Sequence, residues 1–222
     1  MDPLSDVLRV IRLSGAFFFP VRAGAPWRAD APSTRTLGAR VLPGAEHIMS
    51  YHIVTSGHCV GGIPEEGLEP LAPGDIIVFP YGDQHWVASG PEVRRGGLDP
   101  DVPDRPMQPV VVGNDRRTDA TLVCGFFGCD RGPFNPLLAA LPRQFVVRGR
   151  QEGWLNAFTR QVLAEAEHPS MGSATVLTRL AELMFIEVLR EFVREAQSGG
   201  TGWLAGLADP VVARTLVALH AD

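Results

Sequence analysis

The chain has 222 residues, a formal net charge of −5 and an isoelectric point near 5.7, too few clustered cations for an extended nucleic-acid surface of its own. Hydrophobic residues make up 45% and charged residues 20%, the balance of a folded domain, and no apolar run approaches the ~18–20 residues that span a bilayer. Acids in the opening "MDPLSDVLRVIRLSG" exclude a signal peptide, and three cysteines make no disulfide framework, so the expectation is a cytoplasmic protein with reduced thiols.

Residues 3–13 place Leu4, Val7, Leu8 and Ile11 on one helical face, which predicts a short amphipathic helix after Asp2 and Pro3. From about 15 to 147 short apolar runs alternate with Gly and Pro. Strands are predicted at "AFFFPV", "TRTLGARVL", "HIMSYHIVTSGHCVGGI", "EPLA", "DIIVFP", "HWVAS", "PVVVG" and "ATLVCGFFGCD". Many short strands at near-regular spacing indicate a β-sandwich or barrel. The stretch 89–119 is dense in Pro, Gly and charge and reads as a long loop with one short strand at Val110–Val112.

The texture then becomes helical. Trp154, Leu155, Phe158, Val162 and Leu163 have helical spacing over 151–167, and Pro169 with Gly172 ends that helix. A longer helix is predicted over 174–197. Its apolar positions cover too wide an arc for one core, so it is expected to be buried on two sides, by its own domain and by a second copy of the chain. Leu183, Ile186 and Phe192 are the expected dimerisation residues. Asp209-Pro210 starts a last helix that runs to the C-terminus without a cap. The expected organisation is a barrel at 1–147, a helical dimerisation subdomain at 148–200, and a linker at 201–222 that leads into a further, absent domain.

The segment "GDIIVFPYGDQHW" (74–86) carries the sharpest signal. Ile76–Phe79 reads as a strand buried on both faces, Gly74-Asp75 as a tight entry, and Pro80 with Gly82 as a tight exit that delivers His85 to the next strand. The spacing of Gly74, Pro80, Gly82 and His85 resembles the second conserved motif of the cupins, small jelly-roll barrels. Ser89 stands where an asparagine often follows.

The rest of the chain resembles something narrower, the N-terminal effector-binding cupin domain of AraC-type transcriptional regulators. The resemblance rests on the leading "MDPLSDVLRVIRLSG", on "YHIVTSGHC" (51–59), on "TLVCGFFGCDRGPFNPLLAALP" (121–142) and on "GWLAGLADPVVARTLVALHAD" (202–222). It implies a mainly β fold, a cupin-type jelly-roll followed by a helical dimerisation subdomain. It also implies a small-molecule effector, a homodimer, no membrane, no enzymatic activity, and DNA contact only through a C-terminal helix-turn-helix half.

The His-x-His and Glu of an enzymatic cupin are not present. His47 lies five residues from His52, so the two fall on opposite faces of a strand. His52, His85 and Cys124, each on a different predicted strand, are nevertheless expected to converge as ligands of Zn²⁺ or another transition metal. The alternative is two barrel-lining histidines bonded to their neighbours and a core cysteine. Cys59 is a candidate fourth ligand or pocket thiol. Cys124 beside two histidines would have a depressed pKa and oxidise readily, which makes Cys59 and Cys124 candidate effector or redox residues. Cys129 is expected to be exposed, and His47, His58, His168 and His220 to lie on the surface. The competing function is a metal-dependent cupin enzyme, a dioxygenase or isomerase.

Overall fold

The computed structural model describes residues 13–93, 102–129, 141–149, 154–168 and 170–196. The leading helix up to residue 12, the exit segment 130–140 and the linker with the last helix at 201–222 lie outside the described residues. Among the described residues, ten strands form two facing sheets. The first has six strands in the order β10 (Phe145–Val147), β6 (Ile76–Phe79), β3 (His47–Ser56), β9 (Ala120–Cys129), β1 (Leu13–Gly24) and β8 (Val110–Gly113). The second has four, in the order β2 (Arg28–Ala31), β7 (His85–Ala88), β4 (Cys59–Gly62) and β5 (Glu69–Leu71). The chain is thus mainly β, a cupin-type jelly-roll with helices after it.

The six-stranded sheet is buried on both faces, and side-chain alternation divides its residues between two cores. Phe17, Phe19, Val54, Ile77, Phe79, Leu122, Cys124 and Phe126 face the four-stranded sheet. Phe18, Met49, Tyr51, Ile53, Ile76, Val78, Val123 and Phe127 face two helices, α2 (Trp154–Glu167) and α3 (Ser173–Ala196). Tyr51 stacks on Phe127 with ring centroids 4.5 Å apart. Opposite them Leu177, Ala181, Met184, Phe185, Val188, Leu189 and Val193 of α3 enter the same core. The wide apolar arc of α3 is therefore largely occupied within the chain, by the sheet on one side and α2 on the other.

Three local expectations are corrected. "TRTLGARV" is helix α1 (Thr34–Val41), not a strand: the Ser33 side chain caps it by accepting from Arg35 N–H, and Leu37 and Val41, one turn apart, bury together. The run 47–63 is two strands, because Gly57 turns the chain between β3 and β4. Cys129 is fully buried, not exposed, since β9 extends to it and pairs there with both Leu13 and His47. Strands β2 and β10 carry no strong sequence signal and are additional. The short strand in the long loop is present at Val110–Gly113.

Candidate functional site

The turn that follows β6 is built around the N-terminus of α1. Thr34 N–H donates to the Gly82 carbonyl (2.9 Å) and the Thr34 hydroxyl donates to Ile48 O (3.0 Å). Gly82 has φ +61°, and a Cβ there would lie 1.8 Å from Thr34 Oγ1, so only glycine fits. The next strand then opens with His85, whose ring lies flat on Phe79 at 3.6 Å and 13°. Two turns and one aromatic face thus fix the imidazole inside the barrel, where it is 1% exposed.

His52 reaches the same point from β3. Its Nε2 lies 2.7 Å from His85 Nε2, and His85 Nδ1 lies 2.7 Å from the Asp83 carbonyl. A carbonyl only accepts, so His85 carries its proton on Nδ1 and its Nε2 is an acceptor. His52 therefore donates through Nε2–H, and its Nδ1 is left as a bare acceptor. Burial pushes the pKa of both rings down, His85 to about 4, and the neighbouring His85 lowers His52 further, well below the usual imidazole range. Both are neutral at pH 7.

Cys124 sits beside His52 in the β3–β9 ladder, on the same face. All three expected residues therefore line one cavity between the two sheets. As placed, the three are not spaced as a ligand set. Among the described residues no group of three His, Cys, Asp or Glu side chains is placed to hold an ion. Two nitrogens on one zinc at 2.0–2.1 Å would stand about 3.4 Å apart in a tetrahedral shell. Here the two Nε2 atoms share a proton at 2.7 Å instead. Cys124 is also not an activated thiol. Its pKa is driven up by burial, with a smaller contribution from Cys59, because neutral imidazoles provide no positive charge to stabilise a thiolate. Cys59, on β4, is buried and its thiol is pushed up to about 12 by burial and by Asp75.

The remaining lining is mostly apolar, with Phe19, Val21, Val87, Val112, Leu122 and Phe126 around the imidazole pair. Ser50 and Trp27, which sequence reasoning missed, add two polar atoms. Ser50 Oγ, Trp27 Nε1 and His52 Nδ1 are buried with no hydrogen-bond partner among the described residues. Ser50 is two residues from His52 on β3, so strand parity alone places it on the same face. Nothing in the sequence marks Trp27. It is held by Ser89, whose Oγ accepts from Trp27 N–H (3.1 Å) and whose N–H donates to Trp27 O (2.9 Å). Asp30, also in the lining, is bound by Arg28 at 2.7 Å, and the Arg28 guanidinium lies 4.3 Å over the Trp86 ring.

The expected dimerisation residues lie elsewhere, on α3. Leu183 is 52% exposed, Ile186 is half-buried, and Phe192 is half-buried with its ring 4.4 Å from Phe145. His58 and His168 are exposed, whereas His47 is half-buried, with Nε2 2.6 Å from Pro80 O. His220 lies outside the described residues.

A family model described as Cupin matches residues 2–194. A protein of Streptomyces lividans named as an AraC-like transcription regulator is 29% identical over 232 residues, covering 100% of this chain and 69% of that protein. A protein of the same description from Streptomyces antibioticus is 29% identical over 229 residues, covering 100% of this chain and 70% of that one. Among solved structures, ToxT from Vibrio cholerae O395 aligns over 88% of this chain and 57% of its own, at 5% identity and a TM-score of 0.40. Unsaturated fatty acid bound ToxT from strain SCE256 aligns over 82% and 54%, at 6% identity and a TM-score of 0.37. The chain thus spans about two thirds of the two regulators and just over half of ToxT. It belongs to the cupin family, and the relatives it matches are AraC-like transcription regulators.

Proposed function

We propose that this chain is the sensing and pairing half of an AraC-like transcription regulator, with a small organic effector bound between the two sheets. The observation that carries this reading is the cavity itself. Its lining is mostly apolar, and three of the lining residues, Ser50, Trp27 and His52, carry a buried polar atom with no partner among the described residues. Leaving such groups unpaired costs about 1–3 kcal/mol each, a cost that a bound molecule with matching polar atoms removes. DNA contact is assigned to a part of the regulator outside these residues, in keeping with the net charge of −5. Pairing of two copies is assigned to the outer side of α3, through Leu183 with the edges of Ile186 and Phe192.

The reading is tested by screening small organic molecules and transition-metal salts for thermal stabilisation of the chain. Organic hits are expected, and Cys124→Phe, which fills the cavity, should abolish them. One tightly held equivalent of zinc, lost in Cys124→Ser and accompanied by turnover of a hit, would favour a metal-dependent cupin enzyme instead. No stabilisation by any organic molecule would remove the effector reading.

A further inference from the structure

The hydrogen-bond polarity of the cavity wall restricts what enters it. The Asp83 carbonyl sets the His85 tautomer and His85 sets that of His52, so the pair leaves one lone pair without a partner among the described residues, His52 Nδ1, which is buried within a residue that lines the cavity. Ser50, two residues away on the same face of β3, and Trp27 each carry a buried polar atom, Oγ and Nε1–H, without a partner among the described residues; both residues are 2% exposed. Among the described residues, no Arg or Lys belongs to the lining, and the one carboxylate, Asp30, is tied to Arg28. An anion entering the cavity would lose its hydration and find no cation, a cost of several kcal/mol.

We propose that the effector is an uncharged molecule with a largely apolar body and an O–H or N–H group that donates to His52 Nδ1. This inference rests on the effector reading above and adds the chemical class. Ser50 Oγ can donate to or accept from a polar group of the molecule, and Trp27 Nε1–H can donate to an acceptor on it. Carboxylates are selected against by the wall, and apolar molecules without a donor leave His52 Nδ1 unpaired.

Three probes of one shape separate these claims: benzyl alcohol, benzyl methyl ether and benzoate, each titrated at pH 7.5 into the full 222-residue chain. Binding is expected in the millimolar range, as for any ligand of this size. The alcohol should bind about tenfold more tightly than the ether, the effect of one buried hydrogen bond. It should also shift the nitrogen NMR resonance of His52 Nδ1 in the direction of an accepted hydrogen bond. Benzoate should bind no better than the ether. In His52→Phe the preference for the alcohol should vanish, and the probe ratio on the natural chain decides the matter if that variant fails to fold. Equal binding of alcohol and ether, or tighter binding of benzoate, would overturn the proposed class and leave the effector cavity standing. Failure of all three to bind or to move the resonance at millimolar concentration would also overturn the proposed class, while the effector reading is decided by the wider stabilisation screen.

Discussion

The two faces of the six-stranded sheet are made by the same strands and serve opposite ends. On the helix side Met49, Tyr51, Ile53, Val123 and Phe127 meet α3 in an apolar layer in which the Tyr51 hydroxyl is the single unpaired side-chain polar atom among the described residues. On the barrel side Ser50, His52 and Cys124, their immediate chain neighbours, border a cavity and leave polar atoms unpaired. Gly125 shows how tightly the first layer is closed. A Cβ there would lie 2.5 Å from both Phe17 O and the Tyr51 hydroxyl. One face is filled to hold the fold together, and the other is left incomplete so that something else can fill it. Alternation at every second residue lets the two functions share strands without competing for positions.

Truncation on the packed face should give the largest effect. Phe127→Ala removes a 1%-exposed ring that stacks on Tyr51 and touches Phe185, so a loss of about 3–5 kcal/mol in urea-unfolding stability is expected. A loss under about 1 kcal/mol would mean that the helices do not close this layer, and the contrast between the faces would fail.

Acid should act on the other face. Both barrel imidazoles are held neutral in the fold but take up a proton near pH 6.5 once the chain unfolds. Between that pH and the folded value of about 4 for His85, the unfolded state binds more protons. Stability is therefore full above about pH 6.5 and falls progressively as the pH drops toward 4, by an amount on the order of 3 kcal/mol for His85 alone. Urea midpoints across this window measure the slope, and His85→Phe, which keeps a ring on Phe79, should flatten it. An unchanged slope would assign the acid sensitivity to other groups.

A smaller effect of opposite sign is expected at Ser50. Its hydroxyl is buried without a partner, so Ser50→Ala should raise stability by about 1 kcal/mol in the ligand-free chain. The same change on a face where every polar group was satisfied would lower it. Destabilisation by Ser50→Ala in urea melts would show that the hydroxyl is already paired, and the incomplete face would be complete after all.

The sequence makes the strands and the histidine pair legible and the cavity chemistry largely not. Gly74, Pro80, Gly82 and His85 announce a turn that aims a histidine, and the structure places that ring on Phe79 against His52. Legibility ends where function depends on the register between distant strands. The partner of His52 Nε2 decides between a shared proton and a metal ligand, and that partner lies 33 residues away. Desolvation reverses the expected acidity of Cys124, because spacing shows which groups are near a thiol but not how little water remains. Strand β2 is short and half-buried along its length, with no β-branched residue to mark it. Helix α1 was obscured by its two threonines, which favour strands, and declared itself only through the Ser33 cap.

The smallest expected change in stability lies outside both cores, on the surface of the helical layer, where it bears on assembly. Leu183 is 52% exposed although Met184 and Phe185 beside it are buried, so the apolar arc of α3 overruns its own core by a narrow margin. Val176, seven residues earlier, is 42% exposed and lies on nearly the same side of the helix. The neighbouring charges are already paired within the helix, Arg179 with Glu182 and Arg190 with Glu187. A second copy applied about a two-fold axis would cover both apolar residues with itself. Leu183→Glu should therefore change the unfolding free energy of the single chain by no more than about 0.5 kcal/mol, as at other exposed sites. In sedimentation at micromolar concentration the unaltered chain is expected to be a dimer and Leu183→Glu a monomer. An unaltered chain that is already monomeric, or a Leu183→Glu dimer as tight as the original, would show that this side of α3 is not the pairing surface.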